Sequence, residues 1–295
     1  MALIPFDDRD GLIWLNGEMV EWRDAKTHTL SHGLHYASLV FEGERAYGGT
    51  IFAGADHTDR LRASSQMLDF DIPYSNEEVD AAKMAVLAAN NISDGYLRAF
   101  CWRGSEMMAI SAQQTKTHVA IAAWEWPSYF DPETKMRGIT LEIAKWKRPS
   151  PESAPVHAKA AGLYMICTLS KHEAEKKGFQ DALMLDYRGY IAEATGANVF
   201  FIDEEGTLHT PIPDCFLNGI TRQTVIRLAE SLQMKVVERH LQPEDMASMK
   251  ECFLTGTAAE VTPVAKIGDY SFTPSDACRQ LVTAYDDIVN RRISL

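Results

Sequence analysis

A lysine and a glutamate near the centre of the chain have the side chains that covalent carbonyl chemistry requires. Lys159 and Glu193 are each flanked by an alanine on both sides. A lysine with little charge nearby loses its proton easily, and its neutral amine can attack an aldehyde to form a Schiff base. A carboxylate that faces a pyridine nitrogen keeps it protonated, so that the ring accepts electrons well. Taken singly, a lysine or a glutamate is more often an ordinary solvated side chain. Lys145 and Lys147 are nearby alternative candidates for the reactive lysine.

Two glycine-containing turns downstream have the small residues and backbone amides that bind phosphate. Gly219-Ile220-Thr221 begins an amphipathic helix pattern, and the unpaired N–H groups at a helix N-terminus attract anions. The alternative is that Thr221 only caps the helix. Gly256-Thr257-Ala258 follows an apolar strand and could admit a ligand to its amides, although an ordinary tight turn would look the same. An amine, an acid and two such turns in this order are the parts of a pyridoxal phosphate enzyme.

The composition narrows the class of protein. The 295 residues suffice for one large domain or two ordinary ones, and 46% hydrophobic with 24% charged residues is normal for a globular protein. The net charge of −12 disfavours general nucleic-acid binding but allows a local basic pocket for a small anion. No apolar run approaches the ~20 residues of a membrane span, and MALIPFDDRDG is acidic where a secretory signal is basic, so we expect a cytoplasmic protein. Five cysteines without a CxxC motif indicate reduced, mostly buried thiols.

Residues 1–126 are predicted to form a smaller N-terminal α/β domain. Strands are expected in LIWLNGEMV, IFAGAD, LRAFCWR and THVAIAAWEW, with turns at Asn16-Gly17 and Gly48-Gly49. One helix is expected after Asp56, and a second begins at a capping box of Ser75 and Glu78. Residues 127–135 contain two prolines and several polar residues, so we expect an interdomain linker there.

Residues 136–295 are predicted to form a larger C-terminal domain that carries Lys159. Strands are expected in GITLEIAKW, KVVERHL and ECFLTGT, and three more in DALMLDYRGYIAEATGANVFFI, with a turn at Arg188-Gly189. Helices are expected from Tyr164 to Lys177, from about Thr221 to Gln233, and from Thr273-Pro274 onward. The expected fold class is therefore α+β in two domains.

A histidine-rich segment offers a different kind of site. HTLSHGLH places His28, His32 and His35 at spacings of four and three, which would group them on one helix face as metal ligands. No carboxylate lies inside the segment, there is no HExxH motif, and Gly33 weakens the helix, so ordinary hydrogen-bonded histidines are favoured. A metal-binding hydrolase stays open as an alternative of another class.

Taken together, the motifs resemble the fold-type IV pyridoxal phosphate enzymes, and specifically the branched-chain amino acid aminotransferases. The resemblance runs from IWLNGEMVEWRDAKTHTLSHGLHYASLVFEGERAY to TGTAAEVTPV and covers most of the chain. The segments HTDRL, YLR, AKAAGLY, GYIAEATGAN and GITRQTVI occur in the family's order. The resemblance implies a two-domain α+β fold of the D-amino acid and branched-chain aminotransferase type, with pyridoxal 5′-phosphate (PLP) as the cofactor.

The resemblance also implies a role for each matching residue. Lys159 would form the Schiff base and shuttle the proton of the substrate Cα, while Glu193 would pair with the pyridine nitrogen. The other implied cofactor ligands are Arg60, Ile220, Thr221 and Thr257 at the phosphate and Tyr164 at the phenolic oxygen. The implied substrate contacts are Tyr96, Thr257 and Ala258 at the α-carboxylate, Arg98 at the side-chain carboxylate of glutamate, Phe41, Trp126 and Tyr129 along an apolar pocket, and Tyr36 reaching in from a partner subunit.

The chain departs from the family pattern at three places. Gly162-Leu163 stands where Gly-Asn is usual, Glu106-Met107-Met108-Ala109 replaces a glycine-rich stretch, and Glu44 turns FEGIR into FEGER. Because these positions lie near the expected cofactor and substrate loops, they bear on substrate range rather than on the chemistry.

The implied activity is ping-pong transamination of leucine, isoleucine and valine with 2-oxoglutarate. A homodimer or higher homo-oligomer is implied, without a metal and without a nucleic-acid or membrane partner. Alternatives of the same fold are a D-amino acid or (R)-amine transaminase and an aminodeoxychorismate lyase-like enzyme, against which Tyr96-Leu97-Arg98 favours the branched-chain interpretation. A non-catalytic binding protein would not need Lys159, Glu193 and Arg60 together.

Overall fold

A computed structural model describes residues 4–126 and 135–294, which divide by their contacts into two units. Unit 1 comprises the described residues before 127 together with Ala158–Gly162, and unit 2 comprises the other described residues. Both units combine helices with a β-sheet, so the α+β prediction is confirmed. The predicted domain bounds stay a prediction, and residues 127–134 of the predicted linker 127–135 lie outside the described residues. Ala158–Gly162, predicted in the C-terminal domain, groups with unit 1 because Ala160 forms a β-bridge with Val40.

Unit 1 is built on a seven-stranded sheet in the order β2-β1-β7-β6-β4-β5, with β3 also paired to β6. Its strands are β1 (Leu12–Leu15), β2 (Glu18–Glu21), β3 (Leu39–Phe41), β4 (Glu44–Tyr47), β5 (Thr50–Ile51), β6 (Gly95–Arg103) and β7 (Thr117–Glu125). Its helices are α1 (His32–Tyr36), α2 (Gly54–Met67) and α3 (Asn76–Ala89), with a 3-10 turn at Trp22–Asp24. The predicted capping box is confirmed: Ser75 Oγ accepts from the Glu78 N–H, and Glu78 Oε2 accepts from the Ser75 N–H.

The two faces of β6 have different surroundings. Leu97, Ala99 and Cys101 are fully buried on the face that α2 and α3 cover. Because side chains alternate along a strand, Tyr96 and Arg98 lie on the opposite face. Tyr96 and Arg98 therefore lie on the face of β6 opposite to α2, while α1 contacts Trp102 further along the strand.

Unit 2 contains a nine-stranded sheet, part of which closes on itself. Its strands are β8 (Ile139–Ile143), β9 (Asp181–Leu185), β10 (Ile191–Ala194), β11 (Asn198–Asp203), β12 (Leu208–Thr210), β13 (Val236–Glu238), β14 (Met249–Gly256), β15 (Glu260–Ile267) and β16 (Tyr270–Ser271). The order is β10-β9-β8-β15-β14-β11-β12-β13, with β16 beside β15. Since β10 also pairs with β11, six of these strands form a closed ring. The helices are α4 (Met165–Lys176), α5 (Ile220–Ser231) and α6 (Asp276–Val289), with 3-10 turns at Ala161–Tyr164 and Pro243–Ser248.

Two predicted elements are corrected by the structure, and one strand was missed. IFAGAD is a strand only as far as Ile51, because Ala53 adopts a left-handed backbone (φ 51°) and α2 begins at Gly54. The last helix begins at Asp276, after Ser275, rather than at Thr273-Pro274. Strand β15 was not predicted, because the segment after Gly256 was interpreted only as a loop.

The described helices and cysteines agree with the compositional expectations. No helix within residues 4–126 and 135–294 is long and apolar enough to cross a membrane. All five cysteines are free and buried, as predicted. Burial raises the pKa of the Cys101, Cys252 and Cys278 thiols, so these side chains are poor nucleophiles at neutral pH.

Candidate active site

The main chain at Lys159 is held from two sides within unit 1. The Lys159 carbonyl accepts from the Phe41 N–H at 3.1 Å, at the end of β3. The Lys159 N–H donates to Ser64 Oγ of α2 at 3.0 Å. Its side-chain Nζ lies 5.1 Å from the centroid of the Phe41 ring. The amine is therefore presented from a fixed backbone beside an aromatic surface, as a nucleophile in covalent catalysis requires.

The predicted phosphate ligand Arg60 belongs to a buried ionic cluster with Glu42 and His57. Arg60 Nε and Nη2 each donate to one Glu42 carboxylate oxygen at 2.7 Å, and His57 Nδ1 lies 2.7 Å from Oε2. The Glu42 side chain has no exposed surface. Burial alone would raise the pKa of Glu42, but Arg60 and His57 lower it to about 2. The carboxylate is therefore ionised at neutral pH.

The low pKa of Glu42 predicts a pH-dependent contribution to stability. Because the pKa of about 2 in the folded chain lies below the usual 4.5, the cluster stabilises the fold above pH 4.5, and this contribution is lost as the pH falls toward 2. A shift of this size corresponds to about 3 kcal/mol. We expect Glu42→Gln to lower the free energy of unfolding near neutral pH, and the difference from wild type to shrink between pH 5 and pH 3. Urea unfolding across this range measures it, and a difference that stays constant would contradict the prediction.

Four of the predicted substrate residues lie close together on the face of the unit 1 sheet opposite to α2. The Tyr96 ring packs against Trp126, with centroids 5.4 Å apart. Arg98 Nη2 donates to the Tyr96 hydroxyl at 3.2 Å, and the Arg98 guanidinium lies 4.6 Å from the centroid of Phe41. An aromatic surface with one cation is thus present where the sequence predicted it. Tyr36 is half-exposed and stacks on His32, and Tyr129 lies outside the described residues.

In unit 2, Glu193 lies within a group of polar side chains on one face of the sheet. The strand register pairs Glu193 with Asn198, and Asn198 with Thr255, so the three side chains share a face. Glu193 is buried, Arg148 Nε is 3.3 Å from its Oε1, and Asn198 Nδ2 donates to its Oε2 at 3.4 Å. The expected solvated alternative for Glu193 is therefore wrong. Its carboxylate is oriented by a buried cation and an amide.

Asn198 also connects Glu193 to the N-terminus of α5. Its Oδ1 accepts from the Gly219 N–H at 3.2 Å, and its Nδ2 donates to the Leu217 carbonyl at 3.0 Å. Gly219 is the N-cap and provides no side chain, so the hypothesis that Thr221 caps the helix is wrong. The first-turn amides of Ile220 and Thr221 have no carbonyl one turn earlier to accept from them. This helix end suits an anion.

Close packing at Gly219 gives a testable prediction about this helix end. A Cβ at this position would overlap Asn198 Oδ1, which must then move and break the bond to α5. We expect Gly219→Ala to destabilise the protein by about 1–3 kcal/mol, as overpacking does. Gly196→Ala is the matched control, because nothing lies within 4 Å of its Cβ position. Thermal unfolding of both variants measures the difference, and equal transitions would refute the role of the contact.

The turn between β14 and β15 completes the predicted residues of unit 2. Gly256 pairs with Glu260, and Thr257 and Ala258 lie in the turn between them. A Cβ on Gly256 would come within 3.3 Å of the Gly196 carbonyl oxygen, so the two segments approach closely. Thr255 Oγ1 is buried and has no hydrogen-bond partner among the described residues.

These donors fit a phosphorylated pyridine aldehyde. Unit 1 supplies an amine at Lys159 and a guanidinium at Arg60. Unit 2 supplies a buried carboxylate at Glu193, the first-turn amides of α5 and the hydroxyl of Thr255. Tyr164 ends the 3-10 turn that precedes α4. In chemical type, the donors of unit 1 suit the aldehyde and the phosphate of PLP, and those of unit 2, taken by themselves, suit its phosphate and its ring nitrogen.

Comparison with known proteins gives the family. The family model for "Amino-transferase class IV" matches residues 39–267. The branched-chain-amino-acid aminotransferase of Pseudomonas aeruginosa is 42% identical over 264 residues, which cover 88% of this chain and 86% of that protein. The chain belongs to the class IV aminotransferases. Among them, it belongs to the branched-chain amino acid aminotransferase family.

Solved structures of the same aminotransferase family agree with the fold. The crystal structure of the Thermoproteus uzoniensis branched-chain aminotransferase with norvaline has a TM-score of 0.91 and 32% identity, covering 96% of this chain and 96% of that one. The Thermobaculum terrenum branched-chain amino acid aminotransferase in its PLP form has a TM-score of 0.89 and 29% identity, covering 96% of this chain and 95% of that one. The predicted fold-type IV architecture is therefore confirmed.

The three histidines have ordinary hydrogen bonds, as the sequence favoured, and the alternative of a shared helix face is wrong. Helix α1 begins at His32, so His28 lies outside it. His32 Nε2 donates to the Ala109 carbonyl at 2.9 Å, His35 Nε2 to the Thr29 carbonyl at 2.9 Å, and His28 Nδ1 accepts from the Leu30 N–H. Each imidazole thus has a separate partner. In residues 4–126 and 135–294, the one group of three potential metal ligands is Asp186, Asp214 and Cys215, and Arg188 already bridges its carboxylates.

Several residues that contact the candidate site residues were not found from the sequence. They are Glu42, His57, Ser64, Arg148 and Asn198. One signal was available: His57 precedes Arg60 by three positions, which places both on one helix face. The others depend on contacts between distant segments, which spacing does not reveal.

Proposed function

We propose that the chain catalyses transamination of branched-chain L-amino acids with 2-oxoglutarate in two half-reactions. It is an enzyme of the branched-chain amino acid aminotransferase family, and its cofactor is PLP. The observation that carries the residue assignment is the anchoring of Lys159, whose main chain is bonded to both Phe41 and Ser64. A surface lysine would have no need of such fixation.

The cofactor supplies an aldehyde that carries the amino group and a ring that accepts the electron pair released at Cα. Lys159 Nζ would hold the aldehyde at rest, would carry the proton from the substrate Cα to the cofactor carbon in the first half-reaction, and would return a proton to Cα in the second. Glu193 keeps the ring nitrogen protonated, and Arg148 and Asn198 orient its carboxylate. Arg60, with the amides of Ile220 and Thr221 and with Thr257, holds the phosphate, while Tyr164 donates to the phenolic oxygen.

The substrate is held by its two ends. Tyr96, Thr257 and Ala258 bind the α-carboxylate, and Phe41 and Trp126 provide apolar walls beside it. Burial of an aliphatic side chain contributes roughly 1.5–3 kcal/mol, so aromatic walls favour leucine, isoleucine and valine. Tyr129 is proposed as a third apolar contact on the strength of the family motif alone.

Arg98 is proposed to discriminate the acidic substrates from the aliphatic ones. Its guanidinium lies beside Phe41 and Tyr96, where it can pair with the side-chain carboxylate of glutamate or 2-oxoglutarate. Replacing Arg98 with methionine should reduce kcat/KM for glutamate by about 10- to 100-fold, as expected for a lost charge-assisted bond. The leucine half-reaction of the same variant is the internal control and should change little. Equal losses for both substrates would contradict the assignment.

We further propose that the enzyme is at least a homodimer, with Tyr36 contributing to the partner's site. This is supported by the exposed large apolar side chains near α1 and the loop that follows β6, namely Leu30, Leu34, Tyr36, Met108 and Ile110. Such a concentration of exposed apolar surface is typical of an interface. Analytical ultracentrifugation checks the proposal, and a 33.0 kDa species at micromolar concentration would refute it.

The absorption spectrum of the PLP-loaded protein tests the proposed function. L-Leucine should bleach the yellow band of the cofactor bound to Lys159, and 2-oxoglutarate should restore it. A band that is indifferent to L-leucine but bleached by D-alanine or an (R)-amine would assign another substrate class to the same fold. The absence of any yellow band would refute the proposal.

A further inference from the structure

We infer that Glu42, assisted by His57, is a positioning residue that orients Arg60 for the cofactor phosphate. The inference rests on the proposed function, in which Arg60 binds that phosphate. Glu42 would contact neither cofactor nor substrate, and would act only through the guanidinium. The residues of this cluster all belong to unit 1.

The geometry of the Glu42–Arg60 pair fixes the whole guanidinium. Glu42 Oε1 accepts from Arg60 Nε and Glu42 Oε2 accepts from Nη2, each at 2.7 Å. Because a guanidinium is planar, holding Nε and Nη2 also determines where Nη1 points. A flexible arginine would have to give up rotamer freedom when the phosphate arrives, whereas this one has already done so.

Glu42 is itself held by three contacts, which are its backbone N–H bond to Ala99 and its carboxylate bonds to His57 and Arg60. Its N–H donates to the Ala99 carbonyl at 2.7 Å, which ties the backbone to β6. His57 Nδ1 donates to Oε2 at 2.7 Å, from one turn earlier on the helix that carries Arg60. The Glu42 carboxylate is fully buried between Arg60 and His57, so it cannot turn away from them toward solvent. The orientation of Arg60 is therefore set by the sheet as well as by α2.

Glu44 provides a close structural comparison. It lies two residues further along, on the same face of the sheet, and is likewise fully buried. Its Oε2 accepts from Lys83 Nζ at 2.9 Å, and Lys83 also donates to Thr58 Oγ1 at 2.6 Å near the start of α2. Glu42 thus links the sheet to α2 directly, whereas Glu44 links it to α3 and reaches α2 only through Lys83, and of the two carboxylates Glu42 is the one that contacts Arg60. If Glu42 had only a structural role, replacing Glu42 and replacing Glu44 would affect cofactor binding equally.

The experiment compares the affinities of apo Glu42→Gln and wild type for PLP and for pyridoxal, which lacks the phosphate. We expect the Kd for PLP to rise about tenfold, equal to about 1.4 kcal/mol, while the Kd for pyridoxal stays within about twofold. Absorbance titration measures both constants without turnover. Glu44→Gln is the matched control, and should lower the melting temperature without changing the ratio of the two constants.

Three outcomes would overturn the inference. Equal weakening of PLP and pyridoxal binding would show a general structural effect, and an unchanged Kd for PLP would show no effect on Arg60. A wild-type protein that binds no PLP would overturn the proposed function and the inference with it. Should Glu42→Gln fail to fold, Glu42→Asp makes the same comparison, since it retains the charge but withdraws the carboxylate from Arg60. A double-mutant cycle with Arg60→Lys should show non-additive effects on PLP affinity.

Discussion

Replacing Lys159 with alanine is expected to abolish multiple turnover, lowering kcat by about 10⁴-fold or more. The variant would lose the amine that is proposed both to hold the cofactor and to move the Cα proton. Its backbone bonds to Phe41 and Ser64 use main-chain atoms and should survive, so the melting temperature of the apo protein should change little. Stopped-flow and steady-state transamination of L-leucine with 2-oxoglutarate measure the loss.

Two neighbouring lysines are the controls for this experiment. Lys145 and Lys147 are exposed and were the sequence competitors of Lys159. Lys145→Ala and Lys147→Ala should keep near-wild-type turnover and the yellow band. Substantial turnover by Lys159→Ala, or a loss of the band in either control, would overturn the assignment.

Replacing Glu193 with glutamine is expected to lower kcat by about 10²–10³-fold, the range found when one preorganised electrostatic contact is removed. Glutamine has almost the same shape but cannot carry the negative charge that is proposed to keep the ring nitrogen protonated. Arg148 is only 3% exposed and would lose its carboxylate, so stability should also fall. PLP should still bind through Lys159 and the phosphate ligands. Half-reaction kinetics and thermal unfolding separate the two effects.

Glu251→Gln is a matched control for Glu193→Gln. Glu251 is an equally buried carboxylate in the same sheet, and it accepts from the Ser275 and Cys278 N–H groups at the start of α6. Its replacement should reduce stability without a comparable loss in kcat. If both variants lost activity to the same extent, the effect of Glu193 would be structural rather than electrostatic.

Several elements were predictable because their causes lie within a few residues. The Asn16-Gly17 and Gly48-Gly49 turns and the Ser75–Glu78 capping box all occur as predicted. Helix α5 begins at Ile220, one residue before its predicted start. Strand β15 was not predicted, because the segment after Gly256 was interpreted only as a loop.

The candidate site was only partly predictable. Tyr96 and Arg98 share a face because they are two residues apart on one strand, a relation that the sequence contains. Arg148 and Asn198 were not identified, although both contact Glu193, because strand register and loop packing decide which distant segments meet. The departure at Glu44 was visible, but its buried partner Lys83 lies on a separate helix.

By itself, the sequence determined the family, the cofactor chemistry and the order of the motifs, since these depend on residue types that must be present. Only the tertiary structure decided how the charges are compensated. A buried carboxylate must find a donor or cation, and that partner can come from any part of the chain that packing brings near. Glu42 therefore contacts Arg60 and His57, and Glu193 contacts Arg148 and Asn198. Spacing along the chain does not encode these contacts.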